Sequence, residues 1–183
     1  LQLLQNAFAT AGVLVALILA FGPVSGAHFN PAVTLAVRLQ GGIDTRAAVA
    51  YVVAQVAGGI AGVAAANVMF ELPALHLSTK LRAGAHLVFA ELVATVGLVL
   101  MIYGVVRSGN GRAAPYAVGG YIAGAYYFTS STSFANPAVT VARTVSDTFA
   151  GIAPASAPGF VVAQLVGAVL ATLLIVQIYP HRR

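Results

Sequence analysis

The sequence predicts an all-α membrane protein that crosses the bilayer several times and is built from two inverted repeats. The first observation is composition: 60% of the 183 residues are hydrophobic and only 7% are charged, whereas a soluble domain has about 25% charged residues. The second is a set of five long apolar segments, and the third is a short motif that occurs twice. The composition excludes a water-soluble globule and a disordered chain.

Each of the five apolar segments is close to the ~20 residues that cross a bilayer core as a helix. They cover residues 3–21, 47–70, 85–106, 113–128 and 159–179. The fourth is the shortest, and we expect it to extend to about Ser130. Gly and Ala are frequent in all five, which lets helices pack closely in lipid. The sequence therefore predicts five full membrane spans.

Two further segments predict helices that are too short to cross a membrane. Each begins after an Asn, one running from Pro31 to about residue 39 and the other from Pro137 to about residue 145. Irregular stretches that contain Ser or Gly precede them, at 22–29 and 129–135. Non-helical backbone at membrane depth is tolerated only inside protein or along a watery cavity. We therefore expect both half-helices to line such a cavity.

An internal duplication organises the chain. Residues 30–36 have the sequence NPAVTLA and residues 136–142 have NPAVTVA. A second similar pair follows: YVVAQVAG at 51–58 comes after the first motif, and FVVAQLVG at 160–167 comes after the second. The sequence thus predicts a single domain, 1–183, with a first repeat at 1–70 and a second repeat at 84–183.

The two repeats differ in length, because the second has one more span at its start. We therefore expect one further helix before Leu1, giving six spans in all. Three spans per repeat is an odd number, so the second repeat is expected to insert upside down relative to the first, as in many channels and transporters.

Basic residues predict the orientation. Under the inverted topology, one face has Arg38, Arg46, Arg107, Arg112, Arg182 and Arg183, and the other has Lys80, Arg82 and Arg143. The positive-inside rule makes the first face cytoplasmic, which predicts a multi-pass protein of the cell (inner) membrane with a cytoplasmic C-terminus. No basic patch indicates nucleic-acid binding. Cys is absent, and we expect no metal and no cofactor.

The most specific chemical signal is an Asn-Pro-Ala triplet at the start of each half-helix. The two triplets are Asn30, Pro31 and Ala32, and Asn136, Pro137 and Ala138. Asn is a favoured N-cap and Pro is favoured at the first helical position, so each Asn oxygen should accept a backbone N–H and leave its NH₂ group free to donate. Inverted symmetry brings both amides and both positive helix ends to one lumen, which suits a neutral solute and repels cations.

Backbone carbonyls before the triplets are expected to form acceptors along the same lumen. They belong to Gly26, Ala27, His28 and Phe29 in the first repeat, and to Thr132, Ser133, Phe134 and Ala135 in the second. Gly26 is expected to have an unusual backbone angle. Donors at the centre and acceptors on either side suit a single file of small hydroxylated molecules.

The run SGAHFNPAVT, with a second NPA triplet, resembles the major intrinsic protein family of aquaporins and aquaglyceroporins. The resemblance covers essentially the whole chain. It implies a homotetramer in a lipid bilayer with one pore per subunit, and a passive channel for small neutral solutes rather than an enzyme.

By the same resemblance, the family's selectivity filter falls on Thr10, Gly124, Ser133 and Val139. The family has Arg directly after the second NPA, where this chain has Val139. A filter without that Arg should be wide and weakly polar, which favours polyols and uncharged metalloid hydroxides. The run NPAVTVARTVSDTFAGI is similar to bacterial members encoded near arsenic-resistance genes, which makes arsenite the leading solute.

A few residues outside the triplets also have expected roles. Glu91, the only acidic residue deep in a span, is expected to brace the irregular loop of its own repeat, although an intramembrane carboxylate is also a candidate functional group. Arg143 and Asp147 are expected to form an ion pair at the pore rim. Tyr126 is interpreted as a packing or interface aromatic, and His28 as a structural residue rather than a pH gate or metal ligand.

Two alternatives stay open at this stage. A secondary transporter also uses inverted repeats and broken helices, but it needs ion-coupling carboxylates, and one buried Glu is too few. A narrower, water-selective channel is the other alternative. An intramembrane enzyme would need a nucleophile and a base, and the sequence contains no such constellation.

Overall fold

A computed structural model describes residues 1–180, and within that range the chain is helical with no strand. Its helices are α1 (Gln2–Ser25), α2 (Pro31–Leu39), α3 (Thr45–Met69), α4 (Ala85–Arg107), α5 (Ala114–Phe128), α6 (Pro137–Ala142) and α7 (Ala157–Ile178). Two 3₁₀ turns, Gly111–Ala113 and Arg143–Val145, precede α5 and follow α6. The predicted all-α fold is confirmed. The expectations for Arg182, Arg183 and the C-terminal end lie outside the described residues.

Four of the described helices, α1, α3, α4 and α7, are long and apolar enough to cross a membrane. The expected fourth span differs: α5 has 15 residues and ends at Phe128 rather than near Ser130. It ends there because Thr129 adopts an extended backbone, while its hydroxyl and its N–H both donate to the Ala125 carbonyl. The chain then turns inward toward the second triplet.

The half-helices connect the two repeats. α2, from the first repeat, packs against α7 of the second, and α6, from the second, packs against α3 of the first. α2 also meets α6 directly. Each half-helix is thus held between spans of both repeats, and this exchange brings the two Asn-Pro-Ala triplets to the middle of the molecule.

Small residues allow the long spans to approach closely, as expected for helices in lipid. α4 packs along α7, where a Cβ on Gly167 would lie 3.0 Å from the Cβ of Thr95 and 3.1 Å from the Leu92 carbonyl oxygen. α1 packs along α5, where a Cβ on Gly119 would lie 2.5 Å from a Val15 methyl group. Glycine at both positions thus allows these spans to pack closely.

The segment between the repeats folds back over the outer end of the second half-helix. The N–H groups of His76 and Ser78 donate to the carbonyls of Val145 and Thr144, at 3.0 and 2.9 Å. Farther along, the Lys80 carbonyl accepts the N–H of Ala153 at 2.7 Å. This segment therefore forms part of the surroundings of α6.

Candidate functional site

The two triplets cap their half-helices as predicted. The Asn30 side-chain oxygen accepts the Ala32 N–H at 2.9 Å, and the Asn136 oxygen accepts the N–H groups of Ala138 and Val139 at 3.0 and 3.3 Å. A Pro stands at the first position of each helix. The caps leave the positive ends of α2 and α6 facing each other at the centre of the molecule.

The free amides of the two asparagines link the repeats reciprocally. Asn30 Nδ2 donates to the Ala135 carbonyl at 2.7 Å, and Asn136 Nδ2 donates to the Phe29 carbonyl at 2.9 Å. This corrects the expectation that both amide protons face the lumen, because one proton of each NH₂ group is engaged and one remains. It also corrects the expected roles of the Phe29 and Ala135 carbonyls, which accept these bonds.

Both irregular loops use the left-handed backbone region at matching positions. The residues three and one before each Asn have positive φ: Ala27 and Phe29 at 47° and 46°, and Ser133 and Ala135 at 47° and 46°. Thr132 also has a φ of 65°, and Gly26 has the unusual angle expected of it, 71°. Such angles cost non-glycine residues about 1–3 kcal/mol each, so the surroundings must hold the loops in place.

Glu91 holds the second loop. Its side chain is fully buried, Oε1 accepts the Phe134 N–H at 2.8 Å, and Oε2 accepts the Ala135 N–H at 2.7 Å. Gln164 Nε2 donates to the same Oε2 at 2.6 Å. These are the contacts expected of a brace, and they leave the carboxylate no role in holding a solute.

His28 has structural contacts in the first loop. Its Nδ1 lies 3.1 Å from the Thr34 hydroxyl, which also accepts from Gln55 Nε2 at 3.0 Å. Within residues 1–180, no group of three or more His, Cys, Asp or Glu side chains could hold a metal ion. The interpretation of His28 as a structural residue agrees with these contacts.

A cavity of about 250 Å³ runs past both triplet asparagines. Its walls are mainly apolar side chains of α1, α4 and α5, such as Leu14, Leu98 and Ile122. Its polar side chains are Thr10, His28, Asn30, Tyr126, Ser133, Asn136 and Arg143. Of the residues expected to present carbonyls, Gly26, Ala27, His28, Phe29, Ser133 and Phe134 line it, whereas Thr132 and Ala135 do not.

Three of the four expected filter positions, Thr10, Ser133 and Val139, line this cavity, but Gly124 does not. Gly124 lies on the exposed outer face of α5. The cavity-facing stripe of α5 repeats every four residues and ends at Tyr126, whose hydroxyl lies 3.1 Å from Thr10 Oγ1. Tyr126 packs in a buried cluster with Leu98 and Ile122, in agreement with its interpretation as a packing aromatic, and it also lines the cavity. The helical spacing of Val118, Ile122 and Tyr126 is the signal that identifies the stripe.

The expected ion pair between Arg143 and Asp147 is not formed. α6 tightens into a 3₁₀ turn at Arg143 and the backbone is extended at Ser146, so the two side chains do not share a helix face. Arg143 Nη2 instead donates to the Tyr126 hydroxyl at 3.0 Å, with its guanidinium 4.5 Å from the centre of the Phe134 ring. Asp147 accepts the Thr79 N–H at 2.9 Å, which lowers the pKa of that carboxyl below its ordinary value.

Arg82 is a structural residue that sequence reasoning treated only as an orientation marker. It is 8% exposed and donates to the carbonyls of Gly151, Phe149 and Ser131, at 2.8, 3.1 and 3.3 Å. Its guanidinium lies 4.9 Å from the centre of the Phe134 ring. Burial lowers the pKa of Arg82, and the nearby Arg143 lowers it further. No periodic signal in the connecting segment marks this role.

The chain is similar in sequence to known proteins along most of its length. The family model described as major intrinsic protein matches residues 1–132. Aquaglyceroporin AqpS of Rhizobium meliloti (strain 1021) is 52% identical over 174 residues, which is 95% of this chain and 74% of that protein. Glycerol uptake facilitator protein-like 6 of Lactiplantibacillus plantarum is 37% identical over 102 residues, 51% of this chain and 46% of its own length. Aquaporin-8 of Rattus norvegicus is 48% identical over 67 residues, which is 37% of this chain and 26% of that protein.

Proposed function

Because the chain belongs to the major intrinsic protein family, whose aquaporins are membrane channels and not enzymes, we propose that its central cavity is a passive pore for small, neutral, hydroxylated solutes. The observation that carries the proposal is the reciprocal pair of capped asparagines. Each keeps one amide proton beyond its bond to the opposite loop. Hydrogen-bond donors at two facing helix N-termini stabilise an uncharged oxygen and repel a cation.

The solute class follows from the filter positions. Thr10 and Ser133 are small and polar, and Val139 stands where the family has Arg. The Ser133 hydroxyl is buried without a hydrogen-bond partner among the described residues, and buried polar groups usually have one. We propose water and glycerol-like polyols as solutes, with arsenite, As(OH)₃, as the leading physiological candidate because it is neutral and hydroxylated.

The same proposal includes the assembly and the membrane. We propose a homotetramer with one pore per subunit in the cell (inner) membrane, with a cytoplasmic C-terminus. The large apolar side chains exposed on α1 and α3, such as Phe8 at 80% and Val53 at 63%, support burial against lipid or neighbouring subunits.

Replacement of Asn136 by Asp tests the proposal while nearly preserving the shape of the side chain. Asp retains the oxygen that caps α6 but replaces the donor NH₂ with a negative oxygen. In proteoliposomes made with the full-length protein, we expect glycerol flux to fall by about tenfold or more, equivalent to at least ~1.4 kcal/mol at the barrier, and cation leak to rise. Asn110→Asp, in an exposed turn, is the matched control. Glycerol flux at the wild-type rate in Asn136→Asp would contradict the proposal.

A further inference from the structure

Arg143 stands where two cavities meet. It lines the central cavity, and it is the one side chain with a full charge among the described residues that do so. It also lines a second cavity of about 400 Å³, together with Asn6, Asn67 and Ser146. The guanidinium-bearing side chain of Arg143 therefore borders both spaces.

The guanidinium is held in a fixed orientation. Nη2 donates to the Tyr126 hydroxyl at 3.0 Å, and the guanidinium carbon Cζ lies over the Phe134 ring, 4.5 Å from its centre. Phe134 is itself fixed, because its N–H is bound by Glu91. Tyr126 is 3% exposed, so this support is buried and the position of Arg143 is determined by packing as well as by the hydrogen bond.

A hydrogen-bond chain extends from Arg143 across the cavity. Since the Tyr126 oxygen accepts from Arg143, its own proton is available for Thr10 Oγ1 at 3.1 Å. The Thr10 hydroxyl then keeps its proton for a solute oxygen. The unpartnered hydroxyl of Ser133 is 2% exposed and lines the same cavity. Guanidinium and hydroxyl donors therefore converge on the space between α1, α5 and the second loop.

Among the described residues, no carboxylate accepts a hydrogen bond from Arg143. Glu91 accepts from the loop N–H groups and Gln164, and Asp147 accepts from Thr79. Glu91 keeps its negative charge, which raises the pKa of the neighbouring Arg82 against the effect of burial. Arg82 adds a second positive charge on the same aromatic ring, 4.9 Å from its centre. Two guanidinium groups outnumber the one buried carboxylate, Glu91, at this end of the second loop, so the junction of the two cavities is net positive and rich in donors.

We infer that Arg143 is the specificity-determining cation of this pore, acting from one helical turn beyond Val139. This inference rests on the proposed function and adds the residue that sets its selectivity. Val139 leaves the constriction wide, while the charge four residues farther along the chain repels cations and donates to the oxygens of neutral polyols and metalloid hydroxides. Tyr126 is the positioning residue that aims the guanidinium.

The test compares reconstituted full-length variants: Arg143→Met, Arg143→Lys, Tyr126→Phe and, as a matched control, Arg112→Met. Arg112 is exposed in the 3₁₀ turn before α5, away from both cavities. The probes are water, glycerol, arsenous acid and methylammonium. We expect Arg143→Met to raise the methylammonium-to-water permeability ratio by about tenfold or more, and Arg143→Lys to retain cation exclusion. Tyr126→Phe should give an intermediate ratio, since the ring stays but the hydroxyl is lost.

The outcomes distinguish this inference from the proposed function. A wild-type protein that conducts none of the neutral probes above empty liposomes would refute the proposed function itself. A wild-type protein that conducts them, with Arg143→Met folding normally and giving unchanged permeability ratios, would overturn the role of Arg143 alone. If Arg143→Met fails to reconstitute, Tyr126→Phe decides the question, because ratios equal to those of the wild type would also overturn it.

Discussion

Replacement of Glu91 by Gln should destabilise the second loop and reduce transport. Gln keeps the size of the side chain but replaces one carboxylate oxygen with an NH₂ group, which cannot accept. Glu91 accepts from two backbone N–H groups and from Gln164, all at 2.6–2.8 Å in a fully buried site. With the Gln oxygen placed toward Ala135 and Gln164, its NH₂ group must face the Phe134 N–H, and that donor loses its acceptor.

The magnitude follows from one lost bond to a charged acceptor. Such a bond contributes about 1.5–3 kcal/mol, and a buried donor without an acceptor costs a comparable amount. We therefore expect a loss of about 2–3 kcal/mol, which lowers Tm by roughly 4–12 °C in a chain of this length. Glu91 binds the N–H groups of Phe134 and Ala135, the latter at positive φ, so the lost bond weakens the restraint on a strained segment of backbone.

Circular dichroism melts of the purified protein in detergent measure Tm, and stopped-flow light scattering of proteoliposomes measures water and glycerol flux. The matched control is Glu71→Gln, since Glu71 is exposed in the segment between the repeats. Glu91→Gln should lower both Tm and flux per reconstituted protein. A Tm and flux indistinguishable from those of the control would refute the reasoning that Glu91 braces the loop.

Two further predictions concern residues whose expected roles changed. Gly124→Ala should leave water and glycerol permeabilities within about twofold of wild type, because the added Cβ meets only the Phe128 ring, at 3.9 Å; a changed glycerol-to-water ratio would return Gly124 to the filter. Asp147→Asn should remove a carboxylate whose hydrogen bond from Thr79 stabilises the fold in a pH-dependent way. The bond from Thr79 makes the folded pKa of Asp147 lower than the unfolded value, so its stabilisation is present above the unfolded pKa and is lost as the pH falls through the folded pKa. The Tm difference between wild type and Asp147→Asn should therefore shrink as the pH falls from 7 to 3, and a difference independent of pH would contradict the assignment.

The capping chemistry of the triplets could be predicted from the sequence because it is local. An Asn followed by Pro determines both the acceptor and the first helical position, and the repeat indicated that two such caps occur. The bonds from Asn30 to Ala135 and from Asn136 to Phe29 could not be predicted, because they join residues about a hundred positions apart across the repeat interface.

The differences between expectation and structure at Gly124 and Arg143 share a physical cause. Both expectations assumed that a regular residue spacing continues through a stretch in which the backbone leaves the α-helical conformation. Counting back from Asn136 to α5 crosses a loop with three left-handed residues, and so the count selects the wrong face of the helix. Counting from Arg143 to Asp147 assumes an α-helix where the chain forms a 3₁₀ turn. At such points the sequence no longer predicts the direction of a side chain, although it still predicts which elements form and of which type.

The central claim is that the chain forms a passive pore for neutral hydroxylated solutes. The most direct test is the rate of glycerol and arsenous acid entry into proteoliposomes of the full-length protein over a wide range of solute concentration, with and without Na⁺ and pH gradients. A passive pore should give entry rates that rise linearly with solute concentration, do not saturate and do not depend on either gradient. Saturating uptake that depends on a Na⁺ or proton gradient would contradict it and identify a coupled transporter.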